Sequence, residues 1–135
     1  MKKIIIISIF IINTLFASDS YESKLYEKIL PMVFQQKNIN IFPDNEAKDF
    51  FKNSSKFNIV YNCDDADLLV GKSIENFPLD CKNKPIFATS YRLFSNENSF
   101  GAFYWRKGRP QIKFKLSVIE KFNLHLPQSF KKYAK

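Results

Sequence analysis

The 135-residue sequence has few of the residue types on which most enzymatic sites depend. It holds one histidine, three glycines and two cysteines. A zinc site would therefore lack ligands, and a glycine-rich phosphate loop would lack glycines. The single histidine, His125, lies between two leucines, which is typical of a structural or exposed residue. We expect no catalytic residues, no metal and no cofactor, and the composition favours a protein that is not an enzyme.

Long hydrophobic runs are also scarce, and the only one lies at the N-terminus. Lys2 and Lys3 precede an apolar stretch over residues 4–16, and Ala17 supplies the small residue expected before a cleavage site. We therefore expect a signal peptide over residues 1–17 and a single exported domain over residues 18–135, located in the periplasm. The alternative is that this segment is retained as a membrane anchor.

The two cysteines, Cys63 and Cys81, form an even pair, which in an oxidising compartment indicates a disulfide. The bridge would close a loop of about 19 residues and stabilise the fold by roughly 3 kcal/mol, by restricting the unfolded chain. The alternative is two free buried thiols.

The acidic run at residues 64–67 lacks the wider spacing and the glycine of a calcium loop, which favours a loop leading into a strand.

Helical and strand patterns alternate between residues 21 and 90. Apolar side chains recur at helical spacing over residues 21–36, and a second helix is expected after Pro43, with Asp44 as its N-cap. Short apolar runs predict strands over residues 38–42, 57–61, 66–70 and 85–89. This alternation predicts an α/β fold with a mostly parallel sheet of about four strands flanked by helices.

The C-terminal part of the chain predicts a β-hairpin followed by helices. Strands over residues 100–107 and 110–115 flank a turn at Lys107-Gly108, and the hairpin is expected to extend or cover the sheet. A short helix capped by Ser117 and a terminal helix beginning at Pro127 are expected to follow. The expected buried face of the hairpin pairs Phe103 and Trp105 with Ile112 and Phe114.

The chain has a formal net charge of +8, and its positive charge is concentrated in the C-terminal quarter. Residues 106–135 contain nine lysines or arginines and one glutamate, whereas residues 18–105 are slightly acidic. The outer side of the hairpin, here named the hairpin face, is the candidate partner-binding surface: Tyr104, Arg106, Arg109, Lys113 and Lys115. Such a surface favours an acidic protein or anionic lipid as partner, with nucleic acid less favoured. The alternative is an ordinary solvated surface.

Residues 101–134 resemble the C-terminal part of the YfiR-type family of small periplasmic regulatory proteins. The matching features are an opening glycine at Gly101, a Gly108-Arg109 turn, alternating apolar residues at 112, 114 and 116, a Leu124-His125-Leu126 step, and a last helix with Phe130, Tyr133 and Ala134. Upstream, Cys63 with residues 66–70 resembles the family's approach to a core strand, and residues 84–90 resemble its next strand.

The resemblance implies a regulator that acts by protein binding in cyclic di-GMP signalling. Members of the family hold a membrane-bound diguanylate cyclase in check by contacting its periplasmic sensor region, and an outer-membrane-associated partner titrates them away. No functional residue of the family carries over to a position of this chain. Two other functions stay open: a periplasmic binding protein that holds an anionic ligand on the hairpin face, and a structural component of an envelope assembly.

Overall fold

A computed structural model of the chain describes residues 21–134. The expected signal peptide over residues 1–17 lies outside the described residues. Within them, no helix has both the length and the apolar character needed to cross a membrane.

Six strands form one sheet in the order β2-β1-β3-β4-β5-β6. They are β1 (Ile39–Pro43), β2 (Phe57–Ile59), β3 (Leu68–Gly71), β4 (Ile86–Ala88), β5 (Ser99–Arg106) and β6 (Arg109–Phe114). Strands β1 to β5 are parallel to their neighbours, and β6 is antiparallel to β5. The α/β architecture is confirmed, but the expected count of about four strands is wrong, because the hairpin adds two strands to the same sheet.

Three α-helices and four short 3-10 helices connect and cover the described strands. They are α1 (residues 21–34), α2 (Tyr91–Phe94), α3 (Leu116–Lys121) and 3-10 helices at Lys48–Phe50, Ile74–Asn76, Leu79–Cys81 and Gln128–Tyr133. The segments expected to be helical after Asp44 and after Pro127 are thus 3-10 turns. Lys115, not Ser117, is the N-cap of α3, because the helix begins one residue before the serine.

Each face of the sheet has its own hydrophobic core. On one face, α1 buries Tyr26, Ile29, Leu30 and Val33 against strand residues that include Ile41 and Phe87. On the other face, Leu69, Ile86 and Ala102 pack against α2 and the disulfide. Because both faces are covered, β3 and β4 are buried at every position, which is why their sequences are almost continuously apolar.

The disulfide between Cys63 and Cys81 is present, with 5.2 Å between the two Cα atoms. It joins the loop after β2 to the 3-10 helix before β4, and both cysteines are buried in the second core. A structural disulfide of this kind is typical of an oxidising compartment.

The hairpin turn lies where the sequence predicts it. Lys107 has φ of 52° and Gly108 has φ of 75°, the two positive values of a type I′ turn, whose twist matches that of the flanking strands. The alternation of side chains is confirmed, and Phe103 pairs with Ile112 as expected. The pairing of Trp105 with Phe114 is wrong, because Trp105 faces Pro110 and is half exposed beyond the core.

Candidate functional site

The carboxyl ends of the five parallel strands lie along one edge of the sheet. The loops that leave this edge begin at Asp44 after β1, Lys72 after β3 and Thr89 after β4, and β5 ends there at Arg106. The chain passes from β1 to β2 on one side and to β3 on the other, which places a topological switch point between β1 and β3 on this edge. Ligands of open α/β sheets bind at such a point, outside the carboxyl ends of the strands.

Asp44 fills the space between the ends of β1 and β3. Its Oδ1 accepts a hydrogen bond of 2.9 Å from the backbone N–H of Ala47. Its Oδ2 accepts bonds from the backbone N–H of Lys72 at 2.9 Å and from the side-chain amide of Asn76 at 3.0 Å. The expectation that Asp44 is the N-cap is wrong, because the 3-10 helix begins later and its N-cap is Ala47, although Asp44 accepts a hydrogen bond from the backbone N–H of Ala47. With three donors on a buried carboxylate, Asp44 is a structural residue of the edge.

Two close contacts near Asp44 fix the width of this edge. A Cβ atom on Gly71 would stand 2.6 Å from Oδ2 of Asp44 and 2.8 Å from Cζ of Phe77, so a side chain there would force Asp44 or Phe77 to move. On the α1 side, burial raises the pKa of the Tyr26 phenol, and the nearby carboxylates of Glu22 and Asp44 raise this pKa further. Tyr26 is therefore neutral at physiological pH and belongs to the wall of the edge.

A cleft of about 630 Å³ opens farther along this edge, at the ends of β3, β4 and β5. We name this cleft the edge cleft. It is lined by Lys72, Thr89, Ser90, Tyr91, Tyr104, Trp105 and Arg106. A neighbouring cleft of about 210 Å³ shares four of these residues and adds the apolar walls of Phe50 and Phe103 together with Glu22 and Glu46. The larger cleft is thus lined by cations, hydroxyls and aromatic rings.

Three aromatic side chains shape the edge cleft. Trp105 is held by the first described residues of α1: its indole N–H donates to Oε1 of Glu22 at 3.1 Å and its ring lies 5.9 Å from that of Tyr21. Tyr91 packs edge-on against Tyr104, with 6.1 Å between ring centroids. Trp105 and Tyr91 are 53% and 58% exposed, so each presents a fixed ring to solvent.

Tyr104 is the exception among these rings, because it is only 7% exposed. Its hydroxyl oxygen is buried, and it has no hydrogen-bond partner among the residues that the structure describes. A buried hydroxyl without a partner lowers stability by about 1–3 kcal/mol relative to a bonded one. Solvent does not reach this hydroxyl, so it is not an open hydrogen-bonding group of the edge cleft.

The structure places the residues of the hairpin face on one side of β5 and β6. Arg106 pairs directly with Arg109 across the turn, and Lys113 pairs with Ala102. The ammonium group of Lys113 lies over the rings of Tyr91 and Tyr104, at 5.4 Å and 5.9 Å from their centroids. Tyr104 contributes its ring to the second core, so it faces solvent much less than the sequence alone suggested.

Lys115 has a different environment from the other cations of the hairpin face. Its ammonium group donates to the carbonyl oxygens of Phe94 at 2.6 Å and Asn96 at 2.8 Å, and it lies 4.9 Å from the ring centroid of Phe94. Partial burial lowers its pKa below the ordinary value of a lysine. Lys115 therefore holds the end of α2 against the end of β6.

The structure offers no free thiols for a metal among residues 21–134. Cys63, Asp80 and Cys81 approach one another within 4.8 Å, but both sulfur atoms belong to the disulfide. The acidic run before β3 is explained by local structure: Asn62 accepts from the N–H of Asp65, and Asp67 accepts from the N–H of Asn40.

Sequence reasoning missed Lys72, Thr89, Tyr91 and Trp105 as residues of a common site. Lys72 and Thr89 each follow a predicted strand, so the carboxyl ends of the strands were the available signal. Comparison of the chain with family models, with curated proteins and with solved structures found no match.

Proposed function

We propose that this protein is a non-enzymatic regulator of the periplasm that acts by binding another protein through the hairpin face and the exposed rings beside it. The proposed partner is the periplasmic sensor region of a membrane-bound diguanylate cyclase, which the bound protein would repress. The class of partner comes from the resemblance to the YfiR-type family, and the contact surface comes from the geometry described above.

The observation that carries the proposal is the pairing of Arg106 with Arg109. Like charges directly opposite each other in a sheet are destabilising, and here they flank a turn that carries a third cation, Lys107. Among the described residues, no carboxylate forms an ion pair with any of these three side chains. An acidic partner surface would neutralise this charge and so remove the repulsion between the paired arginines.

The residue types at this surface support protein binding. Tryptophan, tyrosine and arginine are enriched at the energetic centres of protein interfaces, and Trp105, Tyr91 and Arg106 lie together here. Two of these are rings held in place by contacts within the protein, so little conformational entropy would be lost on binding. Charge complementarity with an acidic partner would add speed and specificity to the encounter.

The test is affinity capture from envelope extract with a charge-reversed surface. The variant Arg106→Glu with Arg109→Glu is compared with wild type and with Lys131→Glu plus Lys132→Glu, a matched charge reversal at exposed positions of the last 3-10 helix. We expect wild type and the control to capture the same inner-membrane diguanylate cyclase, and the hairpin variant to lose it.

A second readout addresses repression. Deletion of the gene should raise the intracellular level of cyclic di-GMP, and the hairpin variant should fail to restore the lower level, whereas the control variant should restore it. Capture of the cyclase by the hairpin variant at wild-type yield would refute the proposal that the hairpin face is the binding surface. An unchanged level of cyclic di-GMP on deletion would refute the regulatory role.

A further inference from the structure

We propose that the edge cleft binds a small molecule that carries a planar aromatic ring and one anionic group. This inference concerns a different activity from protein docking and does not depend on the identity of the partner.

The charge of the edge cleft favours an anion. Lys72 and Arg106 line it, and none of its lining residues is acidic. Within residues 21–134, neither side chain forms an ion pair with a carboxylate. The backbone N–H of Lys72 donates to Asp44 and its carbonyl accepts from the hydroxyl of Ser90, so the main chain that carries this cation is fixed on both sides.

The rings of the edge cleft favour a flat ligand. Trp105 and Tyr91 each expose about half of their surface while their own contacts hold them in place. Preformed aromatic walls with a few polar groups are typical of small-molecule sites, whose volumes run from about 300 to 1,000 Å³. The cleft, at about 630 Å³, falls within this range.

Tyr104 adds a third aromatic ring to the lining of the edge cleft. Solvent does not reach its hydroxyl oxygen, so a ligand in the cleft would not bond to that hydroxyl. Asp44 already fills the gap between β1 and β3, which leaves the ends of β4 and β5 as the open part of the carboxyl edge.

The experiment is a calorimetric titration of the purified protein with naphthyl phosphate, which combines a flat ring with an anion. Naphthol supplies the ring alone and inorganic phosphate the anion alone. Trp105 is the only tryptophan of the chain, so its fluorescence reports on the site in the same samples. We expect saturable binding of naphthyl phosphate with a change in this fluorescence, and binding at least about ten-fold weaker for either fragment.

Two variants locate the binding. Lys72→Gln and Arg106→Gln should each weaken it by about ten-fold or more, as expected for loss of a charge-assisted hydrogen bond. Tyr104→Phe deletes an unpartnered hydroxyl that a ligand does not reach, so it should leave the affinity unchanged and the unfolding temperature of the free protein unchanged or higher. Lys131→Gln, which removes one exposed charge outside the cleft, should leave the affinity unchanged.

Two results would overturn the inference. The first is no saturable binding of naphthyl phosphate up to about 10 mM. The second is equal weakening by Lys131→Gln and Lys72→Gln, which would mean that net charge alone attracts the ligand. Because the titration contains no second protein, failure of ligand binding leaves the docking proposal standing, and failure of docking leaves ligand binding standing.

Discussion

Replacement of Asp44 by asparagine tests whether the carboxyl edge is held together as described. The change preserves the size and shape of the side chain and removes its charge and one of its two acceptor oxygens. Three N–H donors point at this carboxylate, one at Oδ1 and two at Oδ2. No orientation of an amide can accept from all of them.

The geometry sets the expected loss of stability. If the amide oxygen takes the place of Oδ2, the N–H of Ala47 faces the NH2 group of the asparagine. In the reverse orientation, the N–H of Lys72 and the amide of Asn76 face that NH2 group. A buried donor without an acceptor costs about 1–3 kcal/mol, and the remaining bonds lose their assistance from charge. We therefore expect Asp44→Asn to lower the free energy of unfolding by about 2–3 kcal/mol, and Asp44→Ala by about 3–5 kcal/mol.

Urea denaturation followed by far-ultraviolet circular dichroism measures these losses. The matched control is Asp49→Asn, which breaks an exposed ion pair with Lys52 at 2.8 Å. That pair should contribute less than about 0.5 kcal/mol. A loss below about 0.5 kcal/mol for Asp44→Asn would refute the argument, because it would mean that water satisfies the donors equally well.

Four further variants examine other parts of the structure by the same assay. Lys115→Met should lower the free energy of unfolding by about 1–2 kcal/mol, since two carbonyl groups lose their donor, whereas Lys113→Met should change it by less than about 0.5 kcal/mol; equal losses would contradict the structural role of Lys115. Cys63→Ala with Cys81→Ala should lose roughly 3 kcal/mol, and reductant should destabilise only the wild type. Gly71→Ala should lose about 1–3 kcal/mol from crowding, and a neutral result would show that the edge can widen.

Local patterns predicted the elements well where the deciding interactions are close in sequence. The hairpin is the clearest case: its strands, its turn at Lys107-Gly108 and the sides on which Tyr104 and Lys113 lie all follow from alternation and turn chemistry. The failure there concerns Trp105. It continues the apolar alternation, but its indole N–H bonds to Glu22 and its ring stays half exposed instead of entering the core.

The site was less accessible to sequence reasoning because it depends on the order of the strands. Lys72 and Trp105 are far apart in the chain, and only the placement of β4 between β3 and β5 brings their ends to one cleft. For Lys115, sequence reasoning predicted a binding role where the structure shows a structural one. The alternating pattern grouped Lys115 with the other cations of the hairpin, but its ammonium group bonds to the carbonyl oxygens of Phe94 and Asn96.

The two proposed activities meet at Arg106, which belongs both to the hairpin face and to the edge cleft. One guanidinium group cannot give its full set of hydrogen bonds to a ligand anion and to an acidic partner at the same time. Tyr91 and Trp105 are likewise limited, because a ring covered by a bound ligand is removed from the surface offered to a protein. If both proposals hold, a ligand in the cleft therefore weakens docking, and the physical origin of this coupling is direct competition for the same side chains rather than a change in the fold.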